Sequence, residues 1–341
     1  MRIIGGKHRG TLLYEFKGQA VRPTADRTKE AIFNVLQFEV SGSVCLDLFC
    51  GSGSLGIEAL SRGAKEVIFV DKSKESVSLT EKNLEKIREK SRVYFTDALS
   101  FLERANKKFD IVFIDPPYAD DVSLAAVKKI IEKNLLSDDG VIVFERDKPC
   151  EKTEGAAIFD VRKYGKAVIS FIRKKKICLF AGSFDPVTLG HEAVVKKIEK
   201  KYDEIFIVAM QNENKTPTFT LKERERILRA AFSGREKIVA DSWDGMLTDY
   251  MKEKGILVNV RGIRSDEDLK YEKAMEEKNR ERYPEIIYDY VYTDCPISSS
   301  AAREAIGSGQ PILNLVGKAA SEEIDKIRDS KAEGKGNYHL K

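Results

Sequence analysis

Short apolar runs alternate with helical patterns along the first half of the chain. The apolar runs are residues 44–49, 67–70, 111–114 and 141–144, and the helical patterns between them are 56–61, 74–88 and 122–133. Such alternation is typical of a doubly wound α/β domain, in which helices cover both faces of a parallel sheet. The half ends in two further strand-like runs, 157–162 and 167–172, which predict a closing antiparallel pair.

A second series of the same kind follows a run of four cations, Arg173-Lys174-Lys175-Lys176. Its predicted strands are 177–181, 204–209, 257–260 and 287–292, and its predicted helices are 192–200, 221–232, 266–282 and 299–306. Because consecutive cations are unfavourable inside a domain, we predict two doubly wound α/β domains, 1–173 and 177–330, with a basic linker at 174–176. Residues 331–341 are rich in lysine and glycine, and we predict that they are disordered.

The composition is that of an ordinary globular protein. Of the 341 residues, 42% are hydrophobic and 33% are charged, and the length suits two domains. No window approaches the roughly 18 consecutive apolar residues of a membrane span. The first residues also lack the apolar segment of a secretion signal, so we expect a cytoplasmic protein without a membrane partner.

Cysteines and histidines are too few and too scattered to predict a metal centre. The five cysteines have no C-x-x-C spacing, which argues against a zinc site and fits reduced thiols. The chain has only three histidines, which excludes a histidine-rich centre. We therefore expect no metal-ligating residues.

The formal net charge of +4 neither requires nor excludes nucleic acid as a partner. Basic residues are nevertheless concentrated in the first thirty positions, where they could form a surface for phosphate backbones or simply a solvated basic face. These residues are Arg2, Lys7, His8, Arg9, Lys17, Arg22, Arg27 and Lys29.

A glycine-rich loop, 47–56 (DLFCGSGSLG), follows the first predicted strand and opens a helix. Beside Asp47, the glycines Gly51, Gly53 and Gly56 permit a tight turn and the close approach of a ligand to the backbone. Asp71 closes the next strand about 20 residues beyond the loop, where an acid can bind ribose hydroxyls. Dinucleotide and S-adenosylmethionine sites share this pattern, so it predicts a nucleoside-containing cofactor, with a turn that binds no ligand as the alternative.

The motif Asp115-Pro116-Pro117-Tyr118 follows the predicted strand 111–114, at the carboxyl edge of the sheet. Its two prolines stiffen a turn that presents one acid and one aromatic ring. Asp115 and the carbonyl of Pro116 can accept hydrogen bonds from the exocyclic amino group of a base, and Tyr118 can stack on that base once it has left its helix. The motif therefore predicts methylation of an amino group on a base, with a rigid proline turn as the alternative.

Over about residues 1–173 the chain resembles the bacterial small-subunit ribosomal RNA guanine-N2 methyltransferases. The resemblance rests on 2–10 (RIIGGKHRG), 22–34 (RPTADRTKEAIFN) and the glycine loop. It implies a Rossmann-like domain, S-adenosylmethionine as donor, a guanine of 16S rRNA in the 30S particle as acceptor, and a basic hairpin that touches RNA. Asp71 would bind the cofactor ribose, and Asp97 would lie near its adenine. A methyltransferase for adenine N6 in DNA, or for another RNA, stays as the alternative.

The segment 182–191 (GSFDPVTLGH) lies between a predicted strand and a predicted helix. Gly190 permits close approach of the backbone to a phosphate, and a helix N-terminus favours anions. His191 can hydrogen-bond a transferring α-phosphate. Because such transfer depends on positioning and charge stabilisation, it needs no protein nucleophile. A structural histidine is the alternative, but Ser183 and the turn residues beside it favour nucleotidyl transfer.

Four later segments carry polar groups to the ends of predicted elements. Lys215 precedes a helix, Arg261-Gly262-Ile263-Arg264 ends a strand, 268–272 (DLKYE) opens the next helix, and 297–303 (ISSSAAR) brings hydroxyls and an arginine to another helix N-terminus. A helix start of this last kind is suited to a triphosphate.

Over about residues 177–330 these segments together resemble bacterial phosphopantetheine adenylyltransferase, with Thr188 in a T-x-G-H form of the signature. The resemblance implies a Rossmann-like nucleotidyltransferase that moves AMP from ATP to 4′-phosphopantetheine with Mg²⁺, and a homo-oligomer, the hexamer of that family. His191 would stabilise the transition state. Phosphopantetheine would be held by Ser183, Lys215, Leu247 and Arg261, with Lys215 orienting the attacking phosphate. The ATP site would comprise Phe184, Gly262, Ile263, Arg264, Glu272, Ser298, Ser299 and Ser300, and Arg303 would assist the leaving pyrophosphate.

Two positions depart from the pattern of that family. Ala181 stands where relatives usually have proline, and 293–296 (TDCP) replaces an aromatic or larger residue before the serines. A nicotinamide-nucleotide adenylyltransferase or a cytidylyltransferase is the alternative for this half, although Arg261-Gly262-Ile263-Arg264 followed by Tyr271-Glu272 favours the pantetheine enzyme. A half that serves only to bind RNA or to form oligomers is a further alternative, which the intact motifs of both halves disfavour.

Overall fold

The computed structural model describes residues 1–16, 26–116, 122–211 and 216–336. The chain divides into two compact units, Met1–Lys175 and Lys176–Lys341. Lys174 is the last residue of one strand and Ile177 the first of the next, so the predicted linker is reduced to Lys175 and Lys176. Among the described helices, none combines the length and the hydrophobicity that crossing a bilayer requires.

The first unit alternates strands and helices before it ends in two adjacent strands. Its described elements are α1 (Asp26–Val35), β1 (Val44–Asp47), α2 (Ser54–Ser61), β2 (Glu66–Asp71), α3 (Lys74–Lys86), β3 (Arg92–Phe95), α4 (Ala98–Arg104), β4 (Phe109–Ile114), α5 (Val122–Glu132), β5 (Leu136–Arg146), β6 (Ala156–Tyr164) and β7 (Ala167–Lys174). They form one sheet of order β3-β2-β1-β4-β5-β7-β6. The first five strands are parallel, and β7 is antiparallel to both β5 and β6, as the closing pair predicted from the sequence requires.

The central strands of this sheet are buried on both faces, which explains why they appear in the sequence as continuous apolar runs. On β1, Cys45 belongs to the apolar cluster that contains Phe33 of α1. The next residue, Leu46, belongs to the cluster on the opposite face, which contains Leu102 of α4. The sheet continues to β2 on one side of β1 and to β4 on the other, and such a reversal opens a crevice for ligands at the carboxyl ends of the strands.

The second unit repeats this architecture with five strands. Its described elements are β8 (Ile177–Gly182), α6 (Leu189–Ile198), β9 (Glu204–Met210), α7 (Leu221–Ala231), β10 (Ile238–Trp243), α8 (Leu247–Lys254), β11 (Val258–Ile263), α9 (Asp266–Arg282), β12 (Ile287–Tyr292), α10 (Ser299–Gly307), α11 (Leu313–Val316) and α12 (Lys318–Gly336). The sheet has the order β10-β9-β8-β11-β12 and is parallel throughout. Its strand order reverses between β8 and β11.

The predicted disordered tail is wrong over its first part, because α12 continues through Gly336. Ala320, Ile324 and Ile327 recur at helical spacing and are buried in the main core of the unit. Lys331 then forms an ion pair with Glu223 of α7, with 2.9 Å between Nζ and Oε2. Residues 337–341 lie outside the described part of the chain.

Strand β10 and helix α8 were not predicted from the sequence. The residues of β10, Ile238–Trp243, include an aspartate and a serine, and only Ala240 is fully buried. An edge strand of this kind lacks the continuous apolar run by which the central strands were recognised. Helix α6 begins at Leu189, before its predicted start at 192, because Thr188 is its N-cap.

Candidate active sites of the two units

Four aspartates lie at the carboxyl edge of four neighbouring strands in the first unit. Asp97 follows β3, Asp71 ends β2, Asp47 ends β1 and Asp115 follows β4. The strand order β3-β2-β1-β4 therefore sets them side by side along the edge where β1 and β4 open the crevice. The structure thus brings together the acids that were selected from the sequence as separate motifs.

The glycine loop is held against Asp71. The Gly51 N–H donates to Oδ2 of Asp71 at 2.9 Å, and the Ser73 N–H donates to Oδ1 at 2.8 Å. A carboxylate has about four acceptor positions, so Asp71 can position the loop and still accept hydrogen bonds from ribose hydroxyls. Gly53 has a left-handed φ of 78°, which favours glycine at this position. At Gly56 a Cβ would lie 2.3 Å from the Phe69 ring, so the helix packs closely on the sheet.

Asp47 is buried beside the glycine loop, where its side chain has little exposure to a ligand. Its side chain is only 2% exposed, and Oδ2 accepts a hydrogen bond from the Gly56 N–H at 2.9 Å. Burial, together with the charges of Asp115 and Asp71, raises the pKa of Asp47 to about 7. The structure therefore assigns its side chain to the start of α2, whereas the sequence had placed it among the cofactor-binding residues.

Asp97 and Asp115 lie on either side of this centre. Asp97 is exposed and caps α4 by accepting a hydrogen bond from the Ser100 N–H at 2.9 Å, and its hydrogen bonds with Ser100 lower its pKa. Asp115 is partly buried, and Pro116 beside it is buried. Tyr118, the predicted stacking residue, lies outside the described residues.

In the second unit, His191 lies in the first turn of α6 and is held through one ring nitrogen. The Thr188 N–H donates to Nδ1 at 3.0 Å, and the Thr188 hydroxyl lies at the same distance. Because a backbone N–H can only donate, Nδ1 carries no proton and the neutral ring has its proton on Nε2. Burial, together with the charges of Arg264 and Arg261, lowers the pKa of His191 to about 4. His191 is therefore a neutral donor at physiological pH.

Phe184 supports this histidine from the interior. Its side chain is 1% exposed, and its ring packs edge-on against His191 with 4.9 Å between ring centroids. The side chain is therefore unable to line an open ATP site as the sequence had suggested, although its backbone belongs to the loop after β8. The side chain of Ile263 is likewise fully buried, so it is also unable to line an open site.

Arg261 is fixed at the carboxyl end of β11 by a two-pronged ion pair. Its Nε and Nη2 donate to the two carboxylate oxygens of Glu272 at 2.6 and 2.7 Å, and its Nη1 donates to the Ala181 carbonyl at 2.7 Å. Arg261 therefore joins α9 to the end of β8, at the point where the sheet reverses. Arg264 is half exposed and lies 3.4 Å from Asp268, measured from Nε to Oδ2.

The serine-rich start of α10 meets the histidine segment directly. A Cβ on Gly190 would lie 2.5 Å from the Ile297 carbonyl oxygen, so only glycine allows this approach. Ser299 donates from Oγ to the Pro186 carbonyl at 3.2 Å, and Ser298 caps the helix. Arg303 donates to the Asp185 carbonyl at 3.1 Å and to Ser300 Oγ at 2.9 Å.

A cavity of about 270 Å³ opens beside these residues. It is lined by Ser183, Asp185, Gln211, Thr216, Pro217, Arg224 and Arg303. Ser183 and Arg303 were predicted from the sequence, and Lys215, next to Thr216 in the chain, lies outside the described residues. Leu247 is the first residue of α8 and is partly buried against the apolar cluster on that face of the sheet.

Two lining residues, Arg224 and Asp185, were missed from the sequence. Arg224 is 1% exposed and donates from Nη1 to the carbonyls of Ser183 and Met210 at 2.7 and 2.8 Å. Asp185 is 5% exposed and accepts from the N–H groups of Thr218 and Phe219 at 2.8 and 2.9 Å. These two residues tie the loops after β8 and β9 together.

Substitution of Gly190 tests the close approach between α6 and the start of α10. We expect Gly190→Ala to displace the Ile297 carbonyl and to destabilise the second unit by about 1–3 kcal/mol. Thermal unfolding measures this effect. Gly307→Ala is the matched control, since a Cβ there meets nothing within 4 Å. Equal effects of both substitutions would contradict the prediction.

Both units are thus Rossmann-like domains whose polar groups collect where the strand order reverses. Two family descriptions match the chain: conserved hypothetical protein 95 over residues 1–173 and cytidylyltransferase-like over residues 179–305. The predicted fold class, two doubly wound α/β domains, is confirmed.

Individual relatives match each half separately. A putative rRNA methyltransferase of Bacillus subtilis, YlbH, is 37% identical over 51% of this chain and 100% of its own length. Ribosomal RNA small subunit methyltransferase D of Haemophilus influenzae is 40% identical over 44% of this chain and 81% of its own length. Phosphopantetheine adenylyltransferase of Shouchella clausii is 36% identical over 45% of this chain and 98% of its own length. The chain belongs to the conserved hypothetical protein 95 family through its first half and to the phosphopantetheine adenylyltransferase family through its second, which confirms both resemblances.

Proposed function

We propose that the chain is a bifunctional enzyme with two separate active sites. The second unit transfers AMP from ATP to 4′-phosphopantetheine, giving dephospho-coenzyme A and pyrophosphate. The first unit transfers a methyl group from S-adenosylmethionine to N2 of a guanine in 16S rRNA. Each proposal rests on the side chains at the carboxyl edge of the respective sheet and on the relatives of that half.

The proposed adenylyltransferase activity rests on the position of His191. Its Nδ1 is occupied by the Thr188 N–H, so the Nε2–H is the group that donates to an oxygen of the α-phosphate. In the reaction a phosphate oxygen of phosphopantetheine attacks the α-phosphorus of ATP, and the bond to the β-phosphate breaks to release pyrophosphate. Arg261, Arg264 and Arg303 supply positive charge near the developing negative charge, and no residue is modified covalently.

The ionisation state of His191 gives a direct test of this assignment. We expect its imidazole to remain neutral, with the proton on Nε2, as the pH is lowered from 8 to about 5, because its pKa is lowered to about 4. Only three histidines occur in the chain, so their ring nitrogens are resolvable by NMR, and the signal lost in His191→Asn assigns the residue. Titration near the ordinary value of about 6.5 would contradict the assignment.

Mg²⁺ is proposed as a companion of ATP. Among the described residues, no group of three or more histidine, cysteine, aspartate or glutamate side chains could hold a metal ion. Mg²⁺ that is bound mainly by the substrate phosphates, and neutralises their charge, needs no such group of side chains. The residues of this chain then position the phosphates through His191 and the arginines.

The acceptor of AMP separates the proposed enzyme from its alternatives. We expect pyrophosphate release when the protein is incubated with ATP and 4′-phosphopantetheine, and none with ATP and nicotinamide mononucleotide. CTP in place of ATP tests the cytidylyltransferase alternative in the same assay. Release with nicotinamide mononucleotide alone would overturn the proposal for this half.

The proposed methyltransferase activity rests on the four aspartates beside the glycine loop. In this proposal Asp71 would bind the ribose and Asp97 the adenine of S-adenosylmethionine, while Asp115 and the Pro116 carbonyl would hold the guanine amino group. The N2 lone pair attacks the methyl carbon, the bond from carbon to sulfur breaks, and N2 then loses a proton. Negative charge at this edge also suits the positively charged sulfonium of the donor and the charge that develops on N2.

Methylation of 30S particles that lack the modification tests this half. We expect the purified protein to transfer one methyl group per particle from S-adenosylmethionine, at N2 of a single guanine. Mapping of the modified nucleotide distinguishes this product from N6-methyladenine. An N6-methylated adenine would favour the alternative methyltransferase.

The proposal also includes a cytoplasmic location and a homo-oligomer. Five free cysteines, four of them buried, fit a reducing compartment, where ribosomal RNA and coenzyme A precursors also occur. The hexamer is the oligomer of the family that the second half resembles. Sedimentation of the full chain measures the oligomeric state directly.

A further inference from the structure

The N-terminal residues fold back on themselves and are held on α2 by buried charges. Residues 1–13, here called the N-terminal hairpin, are joined by hydrogen bonds such as that from the Ile3 N–H to the Thr11 carbonyl at 3.0 Å. Glu58 of α2 is fully buried and accepts the N–H groups of Ile4 and Gly5, each at 2.8 Å. Because α2 begins within the glycine-rich segment 47–56, the hairpin is attached to an element of the proposed cofactor site.

A second connection runs through Asn83 of α3. The side chain is fully buried, and its Oδ1 accepts the Tyr14 N–H at 2.7 Å. Its Nδ2 donates to the Tyr14 carbonyl at 3.1 Å and to the Ser52 carbonyl at 2.9 Å. Both amide hydrogens are therefore used, one on the segment that leaves the hairpin and one on the glycine loop.

Other contacts keep this segment close to the loop. Lys86 of α3 lies over the Tyr14 ring, with 4.2 Å from Nζ to the ring centroid. A Cβ on Gly51 would lie 4.0 Å from the Phe16 ring. The chain therefore passes from the hairpin to the edge of the glycine loop within three residues, 14–16.

We propose that Asn83 is a positioning residue that couples S-adenosylmethionine binding at the glycine loop to RNA binding by the N-terminal hairpin. The proposal rests on the methyltransferase function given above and on the exposed cations of the hairpin, Arg2, Lys7 and Arg9, which suit a phosphate backbone. A ligand that fixes the Ser52 carbonyl also fixes the amide of Asn83, and with it the backbone of Tyr14. Such coupling is reciprocal, so RNA bound to the hairpin raises the affinity for S-adenosylmethionine by the same factor.

The coupling is measured with S-adenosylhomocysteine and undermethylated 30S particles, so that no methyl group is transferred during binding. For the wild-type protein we expect saturating S-adenosylhomocysteine to tighten 30S binding at least about fivefold. In Asn83→Ala we expect saturating S-adenosylhomocysteine to change the affinity for 30S particles by less than about twofold. Its affinity for S-adenosylhomocysteine alone should fall about tenfold, because the buried Ser52 carbonyl loses its donor.

Thr80→Val is the matched control on the same helix. Thr80 is also fully buried, and it donates from Oγ1 to the Gly51 carbonyl at 3.0 Å without a hydrogen bond to the hairpin backbone among those of the described residues. This variant should bind S-adenosylhomocysteine more weakly but keep the wild-type coupling factor. A wild-type factor of one, or a full factor in Asn83→Ala, would overturn the coupling role. Failure of the wild-type protein to bind S-adenosylhomocysteine would overturn the methyltransferase function itself.

Hydrogen exchange of the wild-type protein decides the question if Asn83→Ala fails to fold. We expect S-adenosylhomocysteine to slow exchange of the backbone amides of Ile3, Gly10 and Tyr14, and 30S particles to slow exchange in the glycine loop. Protection confined to the glycine loop when S-adenosylhomocysteine binds would also overturn the proposal. Thermal unfolding of the first unit, measured for each variant, distinguishes loss of coupling from loss of structure.

Discussion

Replacement of His191 by alanine is expected to lower adenylyl transfer about a hundred- to a thousandfold and to leave methyl transfer unchanged. The substitution removes the Nε2–H, the donor placed to meet charge that develops on the α-phosphate, and loss of one such donor has effects of this size. The loss should appear in kcat, because the bond strengthens as the transition state forms. Pyrophosphate release and methylation of 30S particles measure the two activities on the same preparation.

Lys196→Ala is the matched control for this experiment. Lys196 lies on the same helix, α6, but its side chain is exposed. It should therefore retain both activities. If His191→Ala kept most of the adenylyl transfer, or lost methyl transfer with it in a folded protein, separate sites built around this histidine would be untenable.

The sequence predicted the parts of each site that depend on local chain geometry. Residues placed directly after a buried strand, such as Asp71 and Asp115, were found because parallel strands bring their carboxyl ends to a common edge. The T-x-G-H segment was found in the same way, as a turn between a strand and a helix. Its detailed geometry, in which Thr188 fixes the tautomer of His191, required coordinates.

Residues whose role depends on contacts between distant segments were missed. Arg224 lies in an amphipathic helix, where a charged residue normally faces solvent, yet it is buried because the carbonyls of Ser183 and Met210 converge on it. Asn83 is similar, since its partners are Tyr14 and Ser52. Hydrophobic spacing carries no information about such partners, because it reports only which face of an element is buried.

The two units use one topology for ligands of opposite charge. The first places four aspartates along its carboxyl edge, which suits a sulfonium donor and ribose hydroxyls. The second places Arg261, Arg264 and Arg303 around its reversal point, which suits a triphosphate. Function therefore depends on the side chains at the edge of each sheet, and the shared fold by itself does not distinguish the two chemistries.

Replacement of Asp115 by alanine is expected to lower methyl transfer at least a hundredfold while adenylyl transfer continues at the wild-type rate. Asp115 follows β4, and its charge contributes to the raised pKa of the buried Asp47, so the two carboxyl groups lie near each other. Without it, the amino group of the flipped guanine loses an acceptor, and the positive charge that develops on N2 loses its stabilisation. Transfer of labelled methyl groups to 30S particles measures the effect.

Two further variants separate the parts played by Asp115. Asp115→Asn keeps an acceptor oxygen but removes the charge, so it should retain more activity than Asp115→Ala and less than the wild-type protein. Asp147→Ala is the matched control, because Asp147 is an exposed acid directly after the neighbouring strand β5. It should be fully active. If Asp115→Asn matched the wild-type rate, the carboxylate charge would have no part in methyl transfer, and hydrogen bonding alone would account for the role of Asp115.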